Sequence, residues 1–174
     1  MAEADRNLEH EQELNRLLGE LGRTLGKRER VLEEMKRTRT QVRLHEITVE
    51  ADQPFEELEG EMLAQDLRRE LENQRARELE LQRILDLLNH QRELEDRLFE
   101  ELDRHLVPEH RDDLGELWRR MERRDQIFER GESGSLEAKR SLIPEAMECQ
   151  RELEDRLLKL VERHLIRLHR SSTP

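Results

Sequence analysis

Aromatic side chains are nearly missing from this chain of 174 residues, which has three Phe, one Trp and no Tyr. A ring-lined core is thereby excluded, and so is a row of stacking platforms for unpaired bases. A single cysteine, Cys149, leaves no intramolecular disulfide framework and no Cys-x-x-Cys motif. No run approaches the roughly 18 apolar residues of a membrane span. The first twenty residues carry Glu, Asp and Arg throughout, so neither membrane insertion nor a secretory leader is expected, and the chain reads as soluble and cytoplasmic. Gly-rich phosphate loops and zinc-protease motifs are also lacking. Gly131-Glu-Ser-Gly-Ser135 lacks the Gly-x-Ser-x-Gly spacing of a nucleophile elbow and reads as a loop. No catalytic residue, cofactor or small-molecule substrate is therefore assigned, and an enzyme is not expected.

What is abundant is charge and leucine. Charged residues make up 43% of the chain and hydrophobic ones 33%, with 31 Leu and 33 Glu, a composition of long amphipathic helices with narrow Leu seams. Net charge is −11, unevenly spread. Residues 23–43 hold eight basic and three acidic side chains, whereas residues 51–80 hold ten acidic and four basic. A chain reversal near Ala51–Pro54 sets these blocks against each other, with Arg39 near Asp66 and Arg43 near Glu61 or Met62. The basic run is then the face of an internal partner, and nucleic-acid binding is not expected from a chain that is acidic overall.

The string Gln-Arg-Glu-Leu-Glu-Asp-Arg-Leu occurs twice, at Gln91–Leu98 and Gln150–Leu157, each followed by Arg-His-Leu. Aligned without gaps, Asn89–Val107 and Glu148–Ile166 agree at eleven of nineteen positions. One helical building block has been used twice. The alignment matches Ile84 to Ile143, Leu94 to Leu153, Leu98 to Leu157, Leu102 to Val161 and His105 to His164, so the repeated residues are mostly a packing seam. Gln91 and Gln150 fall in the middle of it. Two roles suit them: a polar pair that fixes register across the interface, or amides at the seam's edge reaching water.

Helical periodicity gives four segments. A first helix spans about 5–48, with Leu14, Leu17, Leu21, Leu25 and Val31 on one face. Gly19, Gly22 and Gly26 within it either permit close helix approach or loosen the segment. The stretch 42–49 is β-branched enough to admit a strand. A second helix spans about 54–106, opened by Pro54 and ended by Pro108. A third spans about 109–130, and a fourth about 136–169, with a break or kink at Pro144. Residues 171–174 form a disordered tail. The expected fold is all-α: one elongated domain over 1–174, an antiparallel bundle of long helices, partly a projecting two-helix coiled coil. Short connections make the second and fourth helices parallel, with their repeated segments level.

Seven histidines and 43 carboxylates raise the question of a metal. No histidine has Glu or Asp three residues before it, so the Glu-x-x-His signature of ferritin-like di-iron bundles is absent. The segment His105-Leu-Val-Pro-Glu109 has the His-x-x-x-Glu spacing and so resembles one motif of the hemerythrin family. Pro108 sets that pair on either side of a helix break. No metal ligands are assigned from sequence, and His105 and His164 read as seam-edge residues near helix C-termini. A metal-binding four-helix protein remains the alternative reading.

The first reading is a non-catalytic helical module for protein–protein interaction: an adaptor, an assembly scaffold or a chaperone, with an apolar groove for a protein partner or a second copy of the chain. In size and charge the chain resembles the small acidic helical chaperones of bacterial export systems, which implies capture of an amphipathic segment of a secreted or assembling partner. The expected contact residues are Phe55, Leu58, Met62 and Leu63 in the second helix and Trp118, Ile127 and Phe128 in the third. Large side chains on a narrow seam are where binding energy concentrates.

Overall fold

The computed structural model describes residues 2–51, 59–105 and 111–172, and side chains within 5–38, 40, 65–105 and 111–170. It is an all-α helical bundle with helices α1 (Ala2–Ala51), α2 (Glu59–His105), α3 (Arg111–Glu132) and α4 (Leu136–Ser172). Leu, Glu and Arg dominate all four, and these residues lose little side-chain freedom in a helix. Acidic Asp112 and Asp113 open α3, while Arg104 and His105 close α2 and His169 and Arg170 close α4, each complementing the local end of the helix dipole.

Residues 42–49 belong to α1, in keeping with the expected first helix over about 5–48, and do not form the strand their β-branched side chains admit, because a helix satisfies their backbone groups within the segment. The fourth helix departs from its expectation. α4 runs through Pro144 without a break, and it includes Ser171 and Ser172 of the expected tail. Close helix approach does not explain the α1 glycines: a Cβ at Gly22 or Gly26 meets nothing within 4 Å, and one at Gly19 meets only the Arg23 side chain. At the α3–α4 turn the Gly134 amide donates to the Gly131 carbonyl, and Ser135 caps α4 by accepting the Ala138 amide on its Oγ.

Contacts divide the chain into two compact units, one of residues 1–25 with 88–174 and one of residues 26–87. In the first, Leu14, Leu17 and Leu21 of α1 close on Leu94, Leu98 and Leu102 of α2, Leu114 and Leu117 of α3, and Leu153, Leu157, Leu160 and Val161 of α4. The repeated leucines are thus the middle of this core. Truncating one, such as Leu98→Ala, costs on the order of 2–5 kcal/mol.

Polar contacts fix the helix directions. Gln150 donates from Nε2 to the Leu88 carbonyl, 3.0 Å away, while thirteen to fourteen residues later Glu101 and His164 both meet His10. α2 and α4 therefore run parallel and level, as the repeat requires. Exposed ion pairs Asp113–Arg163, Arg120–Glu152 and Arg130–Glu145 set α3 antiparallel to α4. They mark register more than they add stability.

In the second unit Val31 of α1 and Leu81 and Ile84 of α2 are buried, as is Arg28, and Arg83 pairs with Glu34 across the two helices at 3.3 Å. Farther toward its start the same α2 helix leaves Leu67, Leu71 and Leu79 open. The side chains of Arg39, Arg43 and Glu61, invoked above for pairing, lie outside the described residues.

Candidate functional site

One end of the first unit's core is polar. His10 stands one turn before Leu14 and thus occupies a seam position in the series completed by Leu17 and Leu21, where helical spacing buries it at 3% exposure. Glu101 lies beside Leu102 on α2, at the position that α4 fills with Leu160. His105 and His164 are the paired histidines of the repeat. Three helices thus bring three imidazoles and a carboxylate together.

His10 Nδ1 lies 2.8 Å from Glu101 Oε1, and His10 Nε2 lies 2.8 Å from His164 Nε2. If Nδ1–H donates to the carboxylate, a neutral His10 accepts at Nε2, so His164 is the donor there; the tautomers follow from this network. His105 stacks on His10 with ring centroids 3.9 Å apart, and its Nε2 is 3.5 Å from the same Glu101 Oε1. The second Glu101 oxygen accepts from Arg104 at 3.0 Å. Burial, and then the neighbouring His10, hold the His105 imidazole below its ordinary pKa despite the attraction of Glu101. Just outside, His169 Nε2 lies 3.1 Å from Glu11 Oε1.

A second polar group crosses the core at the level of the repeated glutamines. Arg124 of α3 is wholly buried and donates to Glu95 Oε2 at 2.9 Å, to Asp96 at 2.6 Å and to Asp125. Gln91 supplies a further donor to Glu95 at 2.7 Å. Burial pushes the Glu95 carboxyl up to about 7, outweighing Arg124 and the Gln91 bond. Burial also opposes the charge on Arg124, but Asp96, Glu95 and Asp125 more than compensate and hold it above its ordinary value. Both glutamines are buried, which removes the water-edge alternative, and each has its own partner. The lone Cys149 thiol is buried and raised by that burial, the state of an unreactive core cysteine.

The residues expected to make contacts are distributed differently. Trp118 is 55% exposed. Ile127 and Phe128 are buried in the packing of α3, with the Arg92 guanidinium 5.3 Å from the Phe128 ring centre, so they offer no open surface. Phe55 and Leu58 lie outside the described residues, and Met62 and Leu63 lie in α2 with side chains outside the described set. Glu109, the distal member of the hemerythrin-like spacing, is also outside it.

The sequence matches no protein-family model, and neither a curated protein nor a solved structure matches it significantly. Function must therefore be argued from these side chains. No helix among the described residues is long and apolar enough to cross a membrane. Sequence reasoning missed His10 and Glu101. The available signal was the seam itself: stepping back one turn from Leu14 reaches His10.

Proposed function

We propose that this chain is a non-catalytic helical interaction module that works in the cytoplasm and binds an apolar-faced helix, as an adaptor, an assembly scaffold or a chaperone. The observation that carries the reading is the open leucine face of α2: Leu67 is 59% exposed, Leu71 52% and Leu79 71%, while Leu81 and Ile84 of the same helix are buried. At about 3.6 residues per turn Leu67 and Leu71 lie about 40° apart on one side of the helix, with Leu79 about 80° further round, and the sequence extends the Leu67–Leu71 line backwards through Leu63. Apolar area left open along a helix is the feature that helix-in-groove recognition uses. Of the other expected contact residues, Trp118 is open on α3 and offers a secondary anchor.

The test compares the proteins that co-purify with the full-length chain and with its Leu67→Glu/Leu71→Glu variant, after circular dichroism has established equal helicity. The reading expects the variant to lose a partner, or a second copy of the chain, that the parent retains. An identical set retained by both contradicts it.

A further inference from the structure

The polar end of the core stands where a continuous apolar seam fits. His10 continues the Leu14, Leu17, Leu21 series, and Glu101 occupies the position filled by Leu160 in the other copy of the repeat, so an apolar residue is accommodated at the equivalent place. Buried polar groups in such positions cost stability unless they are fully satisfied. Hydrogen bonds account for part of the cluster. His10 has a partner for each ring nitrogen, and Glu101 takes Arg104 on one oxygen.

They do not account for His105. Its Nε2 is 3.5 Å from Glu101 Oε1, beyond a good hydrogen bond, yet it faces the oxygen that His10 Nδ1 already approaches at 2.8 Å. Two imidazole nitrogens converging on one carboxylate oxygen is a ligand arrangement, and one ligand atom from each of His10, Glu101 and His105 lies within 4.8 Å of the others. An ion held at roughly 2.0–2.2 Å from each fits that span once the half-exposed His105 ring turns out of its stack to aim its nitrogen. His10 then takes its Nε2–H tautomer, donating to His164 Nε2, which leaves Nδ1 free to bind the cation beside Glu101.

We infer that His10, Glu101 and His105 form a site for a divalent first-row transition ion of the zinc class, with His164 as the outer partner that orients His10 through Nε2. Two neutral imidazoles and one carboxylate form a donor set suited to Zn(II). The contact to His164 supplies the hydrogen bond on the other ring nitrogen by which metal-ligating histidines are oriented. Such an ion ties the start of α1 to the end of α2. The site is independent of the leucine face proposed for partner binding.

The experiment is a calorimetric titration of the full-length, chelator-treated chain with Zn(II), with thermal unfolding measured in parallel. The expected result is one ion per chain and a higher unfolding temperature with Zn(II). Glu101→Gln and His105→Gln should each abolish both effects. His105 is half exposed, so His105→Gln should unfold at the parent's temperature without metal, which separates lost binding from lost folding. His164→Gln should weaken binding by about 10–100-fold without abolishing it, while His90→Gln/His169→Gln and Leu67→Glu/Leu71→Glu should bind as the parent does. Binding of Zn(II) by the His105→Gln variant with parental affinity overturns the assignment. So does the absence of stoichiometric binding, or its loss in the His90→Gln/His169→Gln variant, which marks adventitious surface binding.

Discussion

Arg124 and Glu95 meet 2.9 Å apart with neither side chain exposed to solvent, an ion pair carried entirely inside the bundle. Breaking such a pair from one side strands a charge, whereas replacing both partners removes the burial cost as well. Arg124→Met should therefore destabilise the chain by about 3–5 kcal/mol, and Glu95→Leu/Arg124→Met should recover most of that loss. Urea unfolding at pH 8 reads both. A double variant no more stable than Arg124→Met contradicts this account of the pair.

Glu95 also predicts a pH dependence. Its carboxyl is raised from the ordinary 4.5 to about 7 in the folded chain. Between those values the folded state holds a proton that the unfolded state has released, so stability falls as pH rises through this window and levels off above it. The contribution is fully present below about pH 4.5 and lost above about pH 7. The difference in unfolding temperature between the parent and Glu95→Gln, measured from pH 4.5 to 8, should move steadily in favour of the variant. A constant difference contradicts the raised pKa.

The repeat made the seam legible. Leu94, Leu98, Leu153 and Leu157 recur with the same neighbours, and short connections then required α2 and α4 to be parallel and level. The histidine cluster was harder to read, because only the antiparallel register of α1 determines that His10 reaches the height of Glu101 and His164. That register depends on how the chain turns between α1 and α2, which periodicity does not encode. Ile127 and Phe128 were expected as contact residues because large side chains on a narrow seam concentrate binding energy, and helical spacing alone does not tell a covered seam from an open one. In the structure both are buried, beside an Arg124 that is itself buried by its pairing with Glu95.

The two equivalent glutamines should respond in opposite ways. Gln91→Leu removes a buried donor from Glu95 and should cost about 1–3 kcal/mol. Gln150 has a buried Oε1 without a hydrogen-bond partner, and its Nε2 meets a helical carbonyl, so Gln150→Leu should be neutral or stabilising. Equal losses in urea unfolding contradict the assignment of separate partners.

Glycine inside α1 costs helix stability with no packing reason for its presence. Gly22→Ala and Gly26→Ala should each stabilise the chain by up to about 1 kcal/mol, since both Cβ positions are open. Gly134→Ala should give no such gain, because its Cβ comes 3.0 Å from that of Ala138. Chemical unfolding of the three variants decides, and a gain at Gly134 equal to the others contradicts the difference in local space.

The central functional claim is that the open leucine face of α2 is the surface a partner covers. Hydrogen–deuterium exchange of the full-length chain, alone and in its co-purified complex, tests it most directly. The account predicts new protection across residues 63–80 in the complex, with the buried repeats at 91–98 and 150–157 unchanged. Protection confined to the Trp118 surface of α3 or to α4, with residues 63–80 exchanging as in the free chain, would contradict it.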